Sequence, residues 1–245
     1  KTWNENGFIF FKSKEVLGDR LAGSLPNLVE NLEGSPESPR KEMRYFETTN
    51  DGKRLLNRIE NFLPFCERLD ALFNFESTIG KIVSNLFQEE AVVFKDKINF
   101  KKPGGGGFEA HQDAQASWDR YGHTMHITAM VAVDRATKEN GCLEVVPRMN
   151  HNGLIGPMGE PIPSEIVEKL DFVPVEMDCG DVLLFDSYVP HRSSINNSKR
   201  ARRILYITYN KRSEGDHREQ YFDDKRREFP PDISRQAGID YVYKV

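Results

Sequence analysis

His111-Gln112-Asp113 sets an imidazole and a carboxylate two residues apart, and His191 follows 78 residues after Asp113, behind a short apolar run at 182–185. In an extended segment residues i and i+2 point to the same side, so His111 and Asp113 can reach one metal ion. Two imidazoles and one carboxylate on one face of an octahedron leave three open positions, the arrangement associated with Fe(II) oxygenases. Two of those positions suit a chelating co-substrate and the third suits O₂. One carboxylate also leaves Fe(II) with a net positive charge that favours an anionic 2-oxoacid. A third histidine or a cysteine in place of Asp113 would point to copper or zinc instead. Arg202 lies 11 residues after His191, at the start of an apolar run. A buried guanidinium needs a partner, and the distal carboxylate of 2-oxoglutarate would supply a bidentate one. Ser193 could give the same carboxylate a hydroxyl hydrogen bond, or it could serve turn chemistry. Arg203, which faces the other way, reads as part of a solvated basic turn.

The elements that must position these groups are short strands. Segments 91–100, 124–133, 142–147, 172–177, 182–185 and 204–209 are β-rich and bounded by turn signals such as Pro103-Gly104-Gly105, Glu139-Asn140-Gly141 and Asn196-Asn197-Ser198. Before them, Ser13 reads as a helix N-cap and Val16, Leu17, Leu21, Leu25, Leu28 and Leu32 follow a helical face. Pro26 is expected to kink or split that helix. A second helical pattern is read over 50–87, with Leu55, Leu56, Ile59, Leu69, Leu72, Ile79, Ile82, Val83 and Leu86 as core candidates. A charged surface helix is read over 214–227. Helices first and many strands later imply a mainly β fold with α cover: a double-stranded β-helix (jelly roll) with N-terminal helices packed on one face. The expected organisation is a single domain over 1–245: helical cover 1–90, jelly-roll core 91–210 and C-terminal extension 211–245.

Composition narrows the partners. The chain carries 34 basic and 38 acidic side chains, for a net charge of −4, which argues against a nucleic acid or an anionic membrane as the main partner. No apolar run reaches the length that spans a bilayer, and the first eleven residues are too polar for a signal peptide. Cys66, Cys142 and Cys179 are odd in number and widely spaced, matching neither a disulfide framework nor a zinc cluster. The expectation is a cytoplasmic protein acting on a small molecule.

Taken together, Lys97-Ile98-Asn99-Phe100, Pro103-Gly104-Gly105, His111-Gln112-Asp113, Glu139-Asn140-Gly141-Cys142-Leu143, Gly180-Asp181-Val182, Pro190-His191-Arg192-Ser193 and Arg202 resemble the phytanoyl-CoA dioxygenase (PhyH) superfamily. The resemblance runs over roughly 91–210. It implies the jelly roll, Fe(II) on His111, Asp113 and His191, and 2-oxoglutarate held by Arg202 and Ser193 and decarboxylated to succinate, with ascorbate as the in vitro reductant. Related halogenases lack the carboxylate; Asp113 is present here, so hydroxylation is expected. Met43-Arg44-Tyr45-Phe46-Glu47, Asn57-Arg58-Ile59-Glu60-Asn61-Phe62 and Ser213-Glu214-Gly215-Asp216-His217-Arg218 are similar to a bacterial branch that includes 2-aminoethylphosphonate dioxygenases. Other members of the family act on amino acids, acyl-CoA esters or secondary metabolites.

Around this centre, Asn99 and Thr128 are candidates for the oxoacid end of the co-substrate, with cross-strand hydrogen bonding as the alternative. Gln112, Gln115, Trp118, Tyr121, His126, Arg192 and Tyr206 are read near the mouth. Of these, Gln112, Trp118 and Arg192 are the substrate candidates, Arg192 for an anionic group. Lys97 is either a pocket cation or a solvated edge residue. The glycine run 104–107 lacks the Gly-Lys-Ser/Thr ending of a phosphate loop and the helix after it, and reads as a flexible turn or lid hinge. The loop 34–40 and the region of Trp118 are candidate lids, and His123, His151 and His217 read as ordinary polar residues. Two readings from other classes have discriminating outcomes: a metal-stabilised binding module would not turn over 2-oxoglutarate, and a zinc hydrolase would leave Arg202 and Ser193 without a role.

Overall fold

The computed structural model describes residues 2–49, 52–123, 125–149 and 153–241; His151, Thr124 at the start of one expected strand and Asn50 at the start of one expected helix lie outside them. Eleven strands are found among the described residues: β1 (Phe8–Phe11), β2 (Met43–Thr48), β3 (Arg54–Glu60), β4 (Ala91–Lys101), β5 (Phe108–His111), β6 (Ile127–Ala132), β7 (Leu143–Val145), β8 (Val173–Val175), β9 (Val182–Asp186), β10 (His191–Ser193) and β11 (Arg202–Lys211). They form two antiparallel sheets, a large one ordered β1-β9-β6-β11-β4-β3-β2 and a small one ordered β5-β10-β7-β8. The jelly roll expected from the sequence is the fold observed.

Period-two alternation divides the large sheet between two environments. Ile98 and Phe100 on β4, Ala129 and Val131 on β6, and Leu205 and Ile207 on β11 face one way. They pack against helices: α1 (Thr2–Asn6), α2 (Ser13–Val16) and α3 (Gly18–Gly34), then α4 (Glu67–Phe73) and α5 (Thr78–Phe87), contribute Trp3, Leu25, Val29, Leu69, Phe73, Ile79 and Val83 to that core. Met130, Leu183, Phe185, Ile204 and Tyr206 face the other way, toward Leu143 and Val145 of the small sheet and Val189 in the connection before β10. With both faces covered, β6 and β9 are buried at every residue. Beyond a short helix α6 (Ser164–Val167), the C-terminal α7 (Arg218–Glu228) packs Tyr221 and Phe222 against Phe94 and Trp118. No described helix is long and apolar enough to cross a membrane.

Four expectations are corrected. The segment expected to be helical from residue 50 instead completes a hairpin, β2 pairing with β3 from Met43↔Glu60 to Thr48↔Arg54. Asp51-Gly52 is a hairpin signal in the sequence, and Gly52 takes φ +82° while its N–H donates to the Thr49 carbonyl. Leu55, Leu56 and Ile59 fit a helical stripe and a strand equally, and the turn decides between them. Another strand, β1, pairs with β9 at the sheet edge inside the stretch expected to be helical cover. The third correction concerns Pro26, which lies inside an unbroken α3; the helical stretch divides at Leu17–Gly18 instead. Proline cannot donate to the carbonyl four residues back, and the Cys179 thiol donates to that carbonyl of Ala22 at 3.3 Å. The charged C-terminal helix also begins later than expected, and Tyr221, Phe222 and Asp224 bury its inner face.

Candidate active site

The two imidazoles meet because β5 and β10 are neighbours and His111 stands directly opposite His191 in the register. Their ring centroids are 4.2 Å apart. Asp113 follows β5 at the start of a tight turn (Asp113–Ala116), pinned to the sheet by the Ala114 N–H, which donates to the Ser187 carbonyl at 3.0 Å. One donor atom from each of His111, Asp113 and His191 lies within 4.8 Å of the others, and all three side chains are buried. The Nδ1 of His111 sits 2.7 Å from the Glu109 carbonyl and that of His191 3.0 Å from the Val189 carbonyl. A carbonyl only accepts, so each Nδ1 carries the proton and each Nε2 offers its lone pair to a metal.

Electrostatics keep the three groups in their ligating forms. Burial, with His191 alongside, pushes His111 down to about 3, and burial also lowers His191. For Asp113 burial acts against ionisation. His191, Lys97 and Lys95 outweigh it and hold the carboxyl at about 2. Two neutral imidazoles and one carboxylate are therefore ready at neutral pH, a donor set that fits Fe(II).

Thr128, expected near the co-substrate, is found supporting the carboxylate. Its hydroxyl donates to Asp113 Oδ2 at 3.2 Å and lies 2.9 Å from the Thr208 hydroxyl. The small sheet thus supplies the histidines and the large sheet orients the aspartate. Thr128→Val removes that hydrogen bond while keeping the shape. It should weaken metal affinity about 10- to 100-fold, the usual cost of losing a ligand's supporting partner, as read by competition with a chromogenic chelator; unchanged affinity would deny Thr128 this role.

A cavity of about 380 Å³ opens onto the triad, lined by Lys97, Asn99, Tyr206 and Ser193 from the expected core. The hairpin and the C-terminal segment also supply walls, through Tyr45, Arg58, Phe229 and Arg235. Asn99 Oδ1 is buried without a hydrogen-bond partner among the described residues. Lys97 faces the cavity beside the Tyr206 ring, 5.1 Å from its centroid, and no carboxylate pairs with it among the described residues. Phe229 stacks on Tyr45 at 5.4 Å, and the Tyr45 hydroxyl donates to the Phe229 carbonyl at 2.9 Å. This C-terminal cover replaces both expected lids, because neither the 34–40 loop nor Trp118 lines the cavity.

The expected substrate residues fare differently. Gln112 is fully buried and points away from the metal side, as strand alternation requires of the residue between two ligands. Its amide donates to the Gly153 and Tyr188 carbonyls and accepts from the Ile155 N–H, tying a loop down. Gln115 likewise donates to the Pro157 and Glu160 carbonyls. Trp118 is fully buried against Phe94 and His126. Arg192 reaches the cavity rim, but its Nε donates to Glu144 at 2.6 Å and its guanidinium stacks over Phe172. A cation already paired in this way is a poor anchor for a substrate anion.

Arg202 is fully buried at the start of β11. It donates to the Gly141 carbonyl, while its Nε and Nη2 have no hydrogen-bond partner among the described residues. Buried guanidinium N–H groups without acceptors are costly, and a carboxylate is the ligand whose two oxygens match that edge. Ser193 Oγ lies at the same place and accepts from Lys101 Nζ at 2.8 Å. Lys101 was missed by sequence reasoning. The signal was the alternation Lys95-x-Lys97-x-Asn99-x-Lys101, which resembles a solvated strand face but is covered, by Trp118 and Tyr221 over Lys95 and by Ser193 of the small sheet at Lys101. Arg203 pairs with Asp134 on the opposite face.

Comparison with known proteins agrees with this geometry. The family model described as phytanoyl-CoA dioxygenase (PhyH) matches residues 3–204. The chain is 44% identical over 98% of its length to a 2-aminoethylphosphonate dioxygenase from uncultured bacterium HF130_AEPn_1, covering 90% of that protein. It is 42% identical over 93% of its length to a methylphosphonate hydroxylase from Gimesia maris, covering 85% of that protein. The crystal structure of EctD from S. alaskensis with 2-oxoglutarate and 5-hydroxyectoine shares the fold, with a TM-score of 0.72 at 18% identity over 87% of this chain and 75% of that one. A family match over most of the chain, laid on a jelly roll that brings two histidines and an aspartate to one point, makes this protein a member of the phytanoyl-CoA dioxygenase family and a 2-oxoglutarate-dependent dioxygenase.

Proposed function

We propose that the protein hydroxylates a small phosphonate, 2-aminoethylphosphonate or a close analogue. His111, Asp113 and His191 would hold Fe(II), and Arg202 with Ser193 would hold the distal carboxylate of 2-oxoglutarate. With O₂ as the oxidant, iron and 2-oxoglutarate would supply the chemistry that replaces a C–H bond by C–OH, one oxygen atom going to the product and the other to the succinate formed as 2-oxoglutarate loses CO₂. The chain's own contribution is to bind the substrate, aim that C–H bond at the metal and keep water out. The observation that supports the phosphonate reading is Lys97, a cation on the cavity wall near the triad that forms no direct ion pair with a carboxylate among the described residues. Arg58 adds a second charge on the same wall, tempered by Glu60 2.7 Å from its Nε. An anion of tetrahedral, multiply accepting geometry suits such a wall, and a long acyl chain does not. The two relatives named for phosphonates support the same reading.

The experiment is succinate release with Fe(II), ascorbate and 2-oxoglutarate over a panel of 2-aminoethylphosphonate, methylphosphonate, amino acids and acyl-CoA esters, with the organic product followed by phosphorus NMR. Stimulation by a phosphonate and a hydroxylated phosphonate product are expected. Stimulation by an amino acid or acyl-CoA alone would overturn the substrate class. Lys97→Met should raise KM for the phosphonate about 10- to 100-fold, the worth of one hydrogen bond to a charged group, with a smaller change in kcat. An unchanged KM would remove Lys97 from recognition.

A further inference from the structure

The Lys101 side chain is buried behind the cavity wall, where Ser193, which lines the cavity, accepts its hydrogen bond. Lys101 and Arg202 are cross-strand partners on β4 and β11, so two basic side chains are held side by side away from water. Lys101 Nζ donates to Ser193 Oγ at 2.8 Å and to the Ser194 carbonyl at 2.5 Å. Gly141 closes the third side at φ +72°. A Cβ there would collide with the Ser194 carbonyl and come within 3.1 Å of Lys101 Nζ. Its carbonyl accepts from Arg202. The amine, the guanidinium and the Ser193 hydroxyl are thereby gathered around one turn.

We infer that Lys101 is a second cation for the distal carboxylate of 2-oxoglutarate and that it takes up a proton as that carboxylate arrives. The donor inventory supports this. A neutral amine has two N–H groups, and Ser193 and Ser194 account for both. Protonation creates a third donor, which the incoming carboxylate can accept alongside the unpartnered Nε and Nη2 of Arg202. Without that carboxylate, two adjacent buried cations repel, and Lys101 is the one able to discharge, since a guanidinium does not. Burial and then Arg202 push the Lys101 amine down to about 7, against opposing pulls from Glu47 on β2 and the Cys142 thiol beside β7. From β5 the neighbour is the Phe108 ring, 5.6 Å away and uncharged. The dicarboxylate brings the missing negative charge and reverses the balance.

The consequence is a directional pH dependence of co-substrate affinity. Below about 7 Lys101 is already charged in the free enzyme, and affinity should be flat. Above it, binding must first bring in a proton, so affinity should fall by up to tenfold per pH unit. This inference rests on Arg202 being the co-substrate anchor, and the experiment separates the two. Iron-loaded protein without O₂ is titrated with 2-oxoglutarate by calorimetry in two buffers of different ionisation enthalpy, at pH 6 and pH 8. The visible charge-transfer absorption of the complex gives an independent affinity. Wild type should take up close to one proton per 2-oxoglutarate at pH 8 and almost none at pH 6. Lys101→Met should lose the uptake and bind about 10- to 100-fold more weakly at pH 6, as loss of a charge-assisted hydrogen bond implies. Lys101→Arg, charged throughout, should bind without uptake at either pH. No uptake by wild type at pH 8, or uptake that survives in Lys101→Met, would overturn the inference. Intact affinity in Arg202→Met would instead overturn the anchor on which it rests.

Discussion

Asp113→Ala should reduce succinate release by more than about a thousandfold, well beyond the 10- to 100-fold that loss of a ligand's supporting partner costs. Asp113 is the only anionic member of the triad, held ionised at about 2 against its own burial by His191, Lys97 and Lys95. Its removal leaves two neutral imidazoles to hold a dication, beside a wall on which Lys95 and Lys97 repel one. Iron content of the purified variant, reloaded without O₂ and measured by elemental analysis, should fall with activity. Melting in the absence of metal should not fall, because the substitution deletes a buried carboxylate that bonds one hydroxyl. A variant that keeps wild-type turnover would end the assignment of the metal centre. Asp113→Asn gives a finer measure, since it keeps the shape and removes the charge. Activity closer to the alanine variant than to wild type would show that charge is what the position supplies.

The triad could be read from the sequence because metal ligation restricts residue type as well as spacing. His-x-Asp in an extended segment fixes both side chains on one side, and a histidine opening a later strand completes the set. The same alternation, applied to Gln112, already turns that residue away from the metal, yet polarity alone suggested the mouth of the pocket. Trp118 shows a different limit. It sits in a tight turn with no periodicity, where a large aromatic can be a lid or a core residue, and only its contacts with Phe94 and His126 decide. Arg192 misled because adjacency to a ligand says nothing about what else the guanidinium meets; Glu144, its cross-strand partner on β7, meets it first.

Long-range pairing explains the remaining differences. Leu55, Leu56 and Ile59 carry a pattern compatible with either helix or strand, and the choice falls to β4, which pairs Arg58 with Asn99 and Glu60 with Lys97. That pairing brings Arg58 and Tyr45 to the cavity, so the misread hairpin and the missed wall have one cause. Lys101 was passed over for a related reason. Lysines on alternate strand positions usually face water, and here the small sheet covers Lys101. Charge in the interior is legible from sequence only when the covering element is known.

Arg202→Met is expected to separate folding from function. The native guanidinium is fully buried with two of its donor nitrogens unpartnered among the described residues, so its desolvation is only partly compensated in the free protein. Replacing such a group by an apolar side chain of similar length is often neutral or stabilising. The variant should therefore melt at or above the wild-type temperature in the absence of 2-oxoglutarate, even though the Gly141 carbonyl loses its donor. Binding moves the other way. Truncating one partner of a buried, hydrogen-bonded charge pair costs about 2–5 kcal/mol, so the KM for 2-oxoglutarate should rise by about 30-fold or more. Saturating 2-oxoglutarate at about 100 times its Kd stabilises a folded protein by about 2.7 kcal/mol, and that increment should appear in the wild type and vanish in the variant at the same concentration. A thermal-shift series with and without 2-oxoglutarate, run beside the kinetics, tests both halves. A variant that unfolds without the co-substrate would mean that Arg202 holds the turn at Gly141 as its main task. One that melts normally and keeps the wild-type KM would place the distal carboxylate elsewhere in the cavity.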